Sequence, residues 1–341
     1  MPLVALTCPN CGGPLPSNAR RAVVVCGYCG ASVSLAQKLV RAARFREALR
    51  AQGAAARDQH CLALGGHAYR VLGRVAQGDT SDVFIAERAQ RVSERVLIKL
   101  VRDASDGDLL QREVELVTRL GGLEVRGARH FRRLIPEPTF AGMTELGGRA
   151  HPVAVYRYRA GFTHTLTDIL RAHPEGLDPS HAVWIWRRVL EVLSWLHSEG
   201  VVHGAPLPEH IIVHAAEHAV MLVGFSCGVT GGGRVPLVGV GPASRRFYPD
   251  DVLRGRPLDP GVDLVVAARA VRCLLGAGAD VLPDTVPRSL ARLVATYAEQ
   301  PVDRWPTTDA FELRQLAGQA ARKAFGPPQF IPLPLPAVAA H

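Results

Sequence analysis

Apolar residues recur at helical spacing from Pro179 to Glu199, where Val183, Trp186, Val189, Leu190, Leu193 and Leu196 fall toward one face. That pattern predicts a long helix with its apolar stripe turned to a core, and it makes the aromatic side chain a packing residue. A second helical pattern runs from Ser34 to about Asp58, rich in Ala and Arg and free of proline, with Leu35, Leu39, Ala42, Phe45 and Leu49 near one face. Gly53, Gly65 and Gly66 loosen the chain after it. Short apolar runs at Arg21–Val25, Ile211–Val213 and Val220–Val223 predict strands. The proline-rich segment from Phe325 to His341 reads as extended or disordered, with docking on the preceding domain left open. No apolar run reaches the roughly 20 residues that span a bilayer. The best candidate, Val262 to Leu282, is broken by Asp263, Arg269, Arg272 and Asp280. The N-terminus lacks the basic region and long apolar core of a signal peptide, so the expectation is a cytoplasmic protein with no membrane association.

Composition agrees with a soluble globular chain, at 48% hydrophobic and 21% charged over 341 residues. Charge changes the picture more. The formal net charge is +9, and residues 1–60 hold eight basic side chains against Glu47 and Asp58. Any electrostatic pull on nucleic acid or an acidic partner therefore belongs to residues 1–60, although a solvated Arg-rich helix explains the same charge. Four of the seven cysteines form the pairs Cys8/Cys11 and Cys26/Cys29, two CxxC knuckles separated by fourteen residues. Each knuckle turns tightly enough for two thiolates to face one ion, and the spacing suits a zinc ribbon with structural zinc on Cys8, Cys11, Cys26 and Cys29. A segment this small cannot bury enough apolar area to fold alone, and the metal supplies the difference. Cys61, Cys227 and Cys273 are isolated and are expected as buried apolar residues.

Further along, several segments follow one another in a telling order. Tyr69 to Phe84 contains Ala76, Gly78, Ser81 and Val83 at the spacing of a glycine-rich loop between two strands. Val96-Leu-Ile-Lys99 comes next, then Glu113 within a helix over Leu109–Leu120. Arg157-Tyr158-Arg159 precedes a short helix at Leu166–Ala172. Val201 to Val213 reads VVHGAPLPEHIIV, and Val220 to Ser226 reads VMLVGFS. Tyr248-Pro249-Asp250, Asp263 in a helix over Val262–Leu275, and Arg304 in PVDRWP complete the series. In this order they resemble the bacterial serine/threonine protein-kinase family over about Tyr69 to Arg322. The resemblance implies an α+β, bilobal protein kinase-like fold preceded by a small zinc ribbon and a helical linker. The expected boundaries are 1–34 for the ribbon, 35–66 for the basic linker, 67–158 for the N-lobe, 159–322 for the C-lobe and 323–341 for the tail.

The resemblance also marks what is missing. In the family's catalytic loop, H-R-D-L-K-P-E-N, the proton-accepting Asp corresponds to Ala205, the Lys to Leu207 and the magnesium-binding Asn to His210. Gly224 replaces the Asp of D-F-G, and Gly204 replaces the Arg that reads an activation-loop phosphate. A methyl group takes no proton and a glycine offers magnesium no side-chain oxygen. What survives of a nucleotide site is Ala76, Gly78, Val83, Lys99, Glu113 and Ile212, crowded by Leu97 and Tyr156. Lys99 and Glu113 either grip phosphates or simply tie helix to sheet. Asp263 is expected to hold the catalytic-loop backbone, and Asp250 to form a buried ion pair with Arg304. His197, His203, His210, His214 and His218 crowd one region and are read as packed or surface histidines rather than a metal cluster. The expected function is a pseudokinase acting as a protein-binding or allosteric scaffold, with structural zinc, without magnesium, and with ATP binding left open. Two alternatives remain: a divergent ATP-binding kinase or nucleotide-transferring enzyme, and a nucleic-acid-binding regulator working through residues 1–60.

Overall fold

The alternation of buried and half-exposed positions along Glu94–Val101 sets the frame of the first of two units. The structure, a computed structural model, describes residues 8, 10–11, 23–26, 29–34, 61–89, 94–146, 148–230, 241, 243–276 and 282–335. The chain divides into a strand-rich unit of residues up to 114 and 137–160, and a helix-rich unit of residues 115–136 and 161 onward.

The strand-rich unit is built on one eight-stranded antiparallel sheet. Its strands are β1 (Val23–Val25), β2 (Ser32–Ser34), β3 (Cys61–Leu64), β4 (His67–Gln77), β5 (Ser81–Arg88), β6 (Glu94–Val101), β7 (Pro138–Leu146) and β8 (Arg149–Arg157). The order is β1-β2-β6-β5-β4-β3, with β8 pairing β6 and β7 pairing β8. Val96 and Ile98 of β6, Ala86 of β5, and Val153 and Val155 of β8 close over Leu64 and Tyr69 to form its core. Side chains directly opposite one another on paired strands share a face. Leu97 and Lys99 therefore lie on the other face, in register with Tyr156 and Ala154 of β8. The first half of helix α1 (Gly107–Gly121) belongs to the same unit.

The expected linker ran to residue 66, but its last six residues belong to the sheet. Cys61–Leu64 pairs with β4, and Gly65 and Gly66 make the hairpin turn at φ +56° and +77°, a conformation that favours glycine. Cys61 is exposed on this edge rather than buried as expected. The helical pattern over Ser34–Asp58 lies outside the described residues, apart from Ser34 at the end of β2. Residues 115–136 also depart from the expected lobe boundary. They join the helix-rich unit, where Phe131 of α2 (Ala128–Phe131) stacks on Trp195 at 5.1 Å with nearly parallel rings.

The helix-rich unit contains α3 (Leu166–Ala172), α4 (Pro179–Ser198), α5 (Asp250–Leu253), α6 (Pro260–Leu274), α7 (Arg288–Glu299) and α8 (Ala310–Phe325). The periodic residues of α4, Val183 through Leu196, are all buried, as the apolar stripe requires. Asp178 caps α4 by accepting from the Ser180 N–H at 2.8 Å, and Pro179 supplies the preset φ of a first helical residue. Two small sheets, β10 (Val201–Val202) with β13 (Val229–Thr230), and β12 (Ala219–Leu222) with β11 (Ile211–His214) and β9 (His164–Thr165), carry the loops of interest. Among the described residues no helix is long and apolar enough to cross a membrane.

Candidate functional site

In the strand-rich unit, three of the residues expected at a nucleotide site, Ala76, Val83 and Lys99, form a cross-strand row. Ala76 lies opposite Val83, and Val83 opposite Lys99. Lys99 Nζ donates to Glu113 Oε2 at 2.8 Å, but the same carboxylate also accepts from the Tyr156 hydroxyl through Oε1 at 2.7 Å. Burial, reinforced by the Glu113 charge, holds the Tyr156 phenol well above its ordinary range, so it stays protonated and donating. Both oxygens of Glu113 thus tie α1 to the sheet. The turn carrying Gly78 is equally occupied. Gly78 N–H donates to Ser81 O at 2.8 Å, and the Arg102 N–H donates to Thr80 O at 2.9 Å. Arg102 also donates to the carbonyl of Gly78 at 2.6 Å, to that of Asp79, and to the Asp82 carboxylate at 3.1 Å. A loop that cradles phosphate offers free backbone N–H groups and no carboxylates. Here Asp82 sits in the turn and Arg102 clasps it shut.

The helix-rich unit holds the modified loop. Asp263, fully buried on α6, accepts from the backbone N–H of His203 at 2.9 Å and of Gly204 at 2.7 Å. It also pairs with His197 Nε2 at 2.9 Å. The loop is therefore anchored at its start, and the His203 ring packs on Phe225 with centroids 4.4 Å apart. Downstream of the anchor, Ala205 and Leu207 are buried in an apolar cluster with Phe247, Tyr248, Val252 and Leu258. Gly204 sits at φ +77°, and a Cβ there would come within 2.7 Å of the Cys227 carbonyl oxygen, so no arginine fits. His210 donates through Nδ1–H to Ala205 O at 2.9 Å, and its ring lies against Gly224. A Cβ on Gly224 would meet three atoms of that imidazole at 2.6–2.7 Å. The imidazole thus takes the space a carboxylate at position 224 would need. Ile212 is half-buried in β11, opposite Met221 and Thr165. Glu209 accepts from Ser244 Oγ at 2.9 Å.

One expected pair is overturned. Asp250 and Arg304 are both exposed, and among the described residues no ion pair joins them. Arg269 of α6 takes the place beside this segment instead, donating to Tyr248 O at 2.7 Å and Ala298 O at 2.9 Å with Asp250 nearby. The clustered histidines separate into different roles. His197 and His203 serve the Asp263 anchor, while His218 lies between Trp184 and Phe330.

The four cysteines of the two knuckles converge in the strand-rich unit, where they are the one group of three or more His, Cys, Asp or Glu among the described residues that could hold a metal ion. Their Sγ atoms lie within 4.8 Å of one another, with Cys8–Cys29 at 3.6 Å and Cys11–Cys26 at 3.7 Å. A disulfide would need about 2.05 Å. Tetrahedral Zn–S bonds of about 2.3 Å place neighbouring sulfurs about 3.8 Å apart, so the donor set fits zinc. Burial pushes the Cys8 thiol up to about 12. Burial also works against ionisation of Cys29, but hydrogen bonds from Asn10, Ala31, Cys11 and Arg157 outweigh it and bring the thiol down to about 6. Sequence reasoning missed Arg157, Arg159 and Glu137, which hold this knuckle, and Arg102. Nothing in local spacing marks them.

Comparison with known proteins bears on the fold alone. The chain matches the crystal structure of the BubR1 kinase domain with a TM-score of 0.57 and 13% sequence identity, covering 78% of this chain and 83% of that one. Its fold is kinase-like. No protein-family model matches the sequence. No curated protein matches it either.

Proposed function

We propose that the chain is a cytoplasmic pseudokinase, a protein-binding or allosteric module on a kinase-like fold, with structural zinc at Cys8, Cys11, Cys26 and Cys29. The observation that carries the reading is the packing of the former catalytic loop. His210 fills the space at Gly224, and Ala205 and Leu207 are core residues rather than groups facing a substrate. Phosphoryl transfer needs a positioned base and metal-held phosphates, and these positions supply neither. Bound zinc would add fixed tetrahedral geometry to the knuckles, and the chain's own part is four thiolates on two tight turns. A kept fold with a filled site suits a partner that reads the surface of the domain.

A second reading, retained nucleotide binding without transfer, is favoured by the intact Lys99–Glu113 pair. One experiment separates the two. Thermal unfolding is followed with ATP, with and without added magnesium. The metal-free arm uses magnesium-free buffer, because a chelator would also strip the cysteine site. A ligand at a hundred times its dissociation constant adds about 2.7 kcal/mol of stability. The expected result is no shift in either arm. A magnesium-independent shift supports the nucleotide-binding reading, and a magnesium-dependent shift with phosphate transfer overturns the pseudokinase reading.

A further inference from the structure

We propose that Arg157, oriented by Glu137, is a positioning residue for a metal ion at Cys8, Cys11, Cys26 and Cys29, and that occupancy of this centre sets the order of the strand end at residues 153–160. The proposal deepens the zinc reading above and rests on it.

Four thiolates around a divalent cation carry a net charge of −2, which a buried site must offset. Arg157 is 8% exposed and donates from Nη1 to Cys29 Sγ at 3.5 Å. Its Nη2 pairs with Glu137 Oε1 at 2.8 Å. The other oxygen of Glu137 holds Arg159 Nη2 at 2.5 Å, and Arg159 Nη1 donates to the Gly30 carbonyl at 3.2 Å. Two guanidinium groups from one strand end therefore grip consecutive knuckle residues, and a single carboxylate fixes both forks. Gly30 admits this approach because it sits at φ +70°, and a Cβ there would lie 2.8 Å from Arg159 Nη1.

The backbone follows the same path. Glu137 O accepts from the Arg157 N–H at 2.9 Å. Val33 of β2 pairs with Glu94 of β6, and Val96 of β6 pairs with Arg157 of β8. The knuckle, β2, β6 and β8 are thus joined by main-chain pairing, and the arginines close the circuit. Without the cation nothing draws the four sulfurs to one point, and Arg157, which keeps Glu137 and Glu94 as charge partners, loses the fixed position of Cys29. Strand end 153–160 then loses the fixed point that Cys29 gives Arg157.

The test uses the full-length protein and zinc itself as the probe. Bound zinc is counted by elemental analysis, then removed in steps by a chelator while backbone hydrogen exchange is followed peptide by peptide. The expected result is one zinc per chain, with its removal speeding exchange at residues 153–160 as well as at 23–34. In chelator competition, Arg157→Gln and Glu137→Gln should weaken zinc affinity by about 10- to 100-fold. Arg157→Lys, which keeps the charge but loses the fork, should recover part of the loss, and the exposed Arg254→Gln should match wild type. Should Arg157→Gln fail to fold, Glu137→Gln and the exchange data decide. Zinc loss confined to residues 8–34, or unchanged affinity in Glu137→Gln, overturns the coupling and leaves the zinc site standing. A wild-type protein that binds no zinc overturns both.

Discussion

Gly224 and His210 depend on each other. The glycine adopts φ +77°, and the His210 ring occupies the volume its side chain would need. Gly224→Asp should therefore cost about 2–4 kcal/mol, from left-handed backbone strain and overpacking together. Adding His210→Asn removes the obstacle, so the double variant should recover about 1–2 kcal/mol of that loss as coupling energy. Urea unfolding of the four proteins in this cycle measures it. Additivity to within about 0.5 kcal/mol would mean that the imidazole does not block the position. Ala205→Asp is the harsher change. It puts a carboxylate where a 2% exposed methyl packs among Phe247, Tyr248 and Leu258. Reinstalling the three acidic and amide groups should thus destabilise the helix-rich unit and still give no phosphate transfer in a radiolabelled-ATP assay.

Among the elements, α6 and α1 do the positioning. Asp263 sits in the first turn of α6 and accepts two backbone N–H groups, which fixes where the loop begins. Asp263→Asn would turn an amide N–H₂ against one of those donors and leave it unsatisfied, at a cost of about 2–3 kcal/mol in thermal or urea unfolding. A loss below about 0.5 kcal/mol would show that the anchor is dispensable. This anchor was legible in the sequence through the family resemblance, which implies a buried acid at the start of that helix holding the loop backbone. The helices were legible too: α4 announces itself by its apolar stripe, and in the structure Thr165, Asp178 and Asp259 cap the starts of α3, α4 and α6. The rest was settled by contacts between residues distant in sequence. Arg269 rather than Arg304 lies beside Asp250, Arg102 clasps a turn more than twenty residues away, and Arg157 reaches Cys29 across 128 positions. Periodicity speaks for the face a residue occupies and says nothing of which arginine crosses it. Cys61 shows the same limit: it is exposed at the start of β3, while Leu64 on the same strand enters the core.

Across the whole molecule, the C-terminal segment gives stability a pH dependence. The extended residues after α8 lie on the helix-rich unit, where Phe330 stacks on His218 at 4.2 Å and Trp184 stacks on the other side at 4.2 Å. His218 Nε2 meets the Ile331 carbonyl at 2.8 Å, His173 Nε2 meets Pro334 O at 3.3 Å, and Leu333 is buried. Burial lowers the pKa of His218, with the Arg188 charge adding to it against the Ile331 carbonyl. Burial lowers His181 as well, and Asp178 opposes that shift only in part. A histidine whose pKa is depressed in the folded state binds its proton more readily when unfolded. Its contribution is complete above the unfolded value of about 6.5 and falls away as pH drops below it toward the folded value. The melting temperature should accordingly decline between about pH 7 and pH 5. The histidine part is isolated by difference between variants. His181→Gln with His218→Gln should flatten the upper portion of the profile, and a chain ending at Gly326 should flatten the His218 share alone. An unchanged slope between about pH 7 and pH 6 in the double variant would assign the dependence to other groups and remove the histidine stack from the account of how the tail is held.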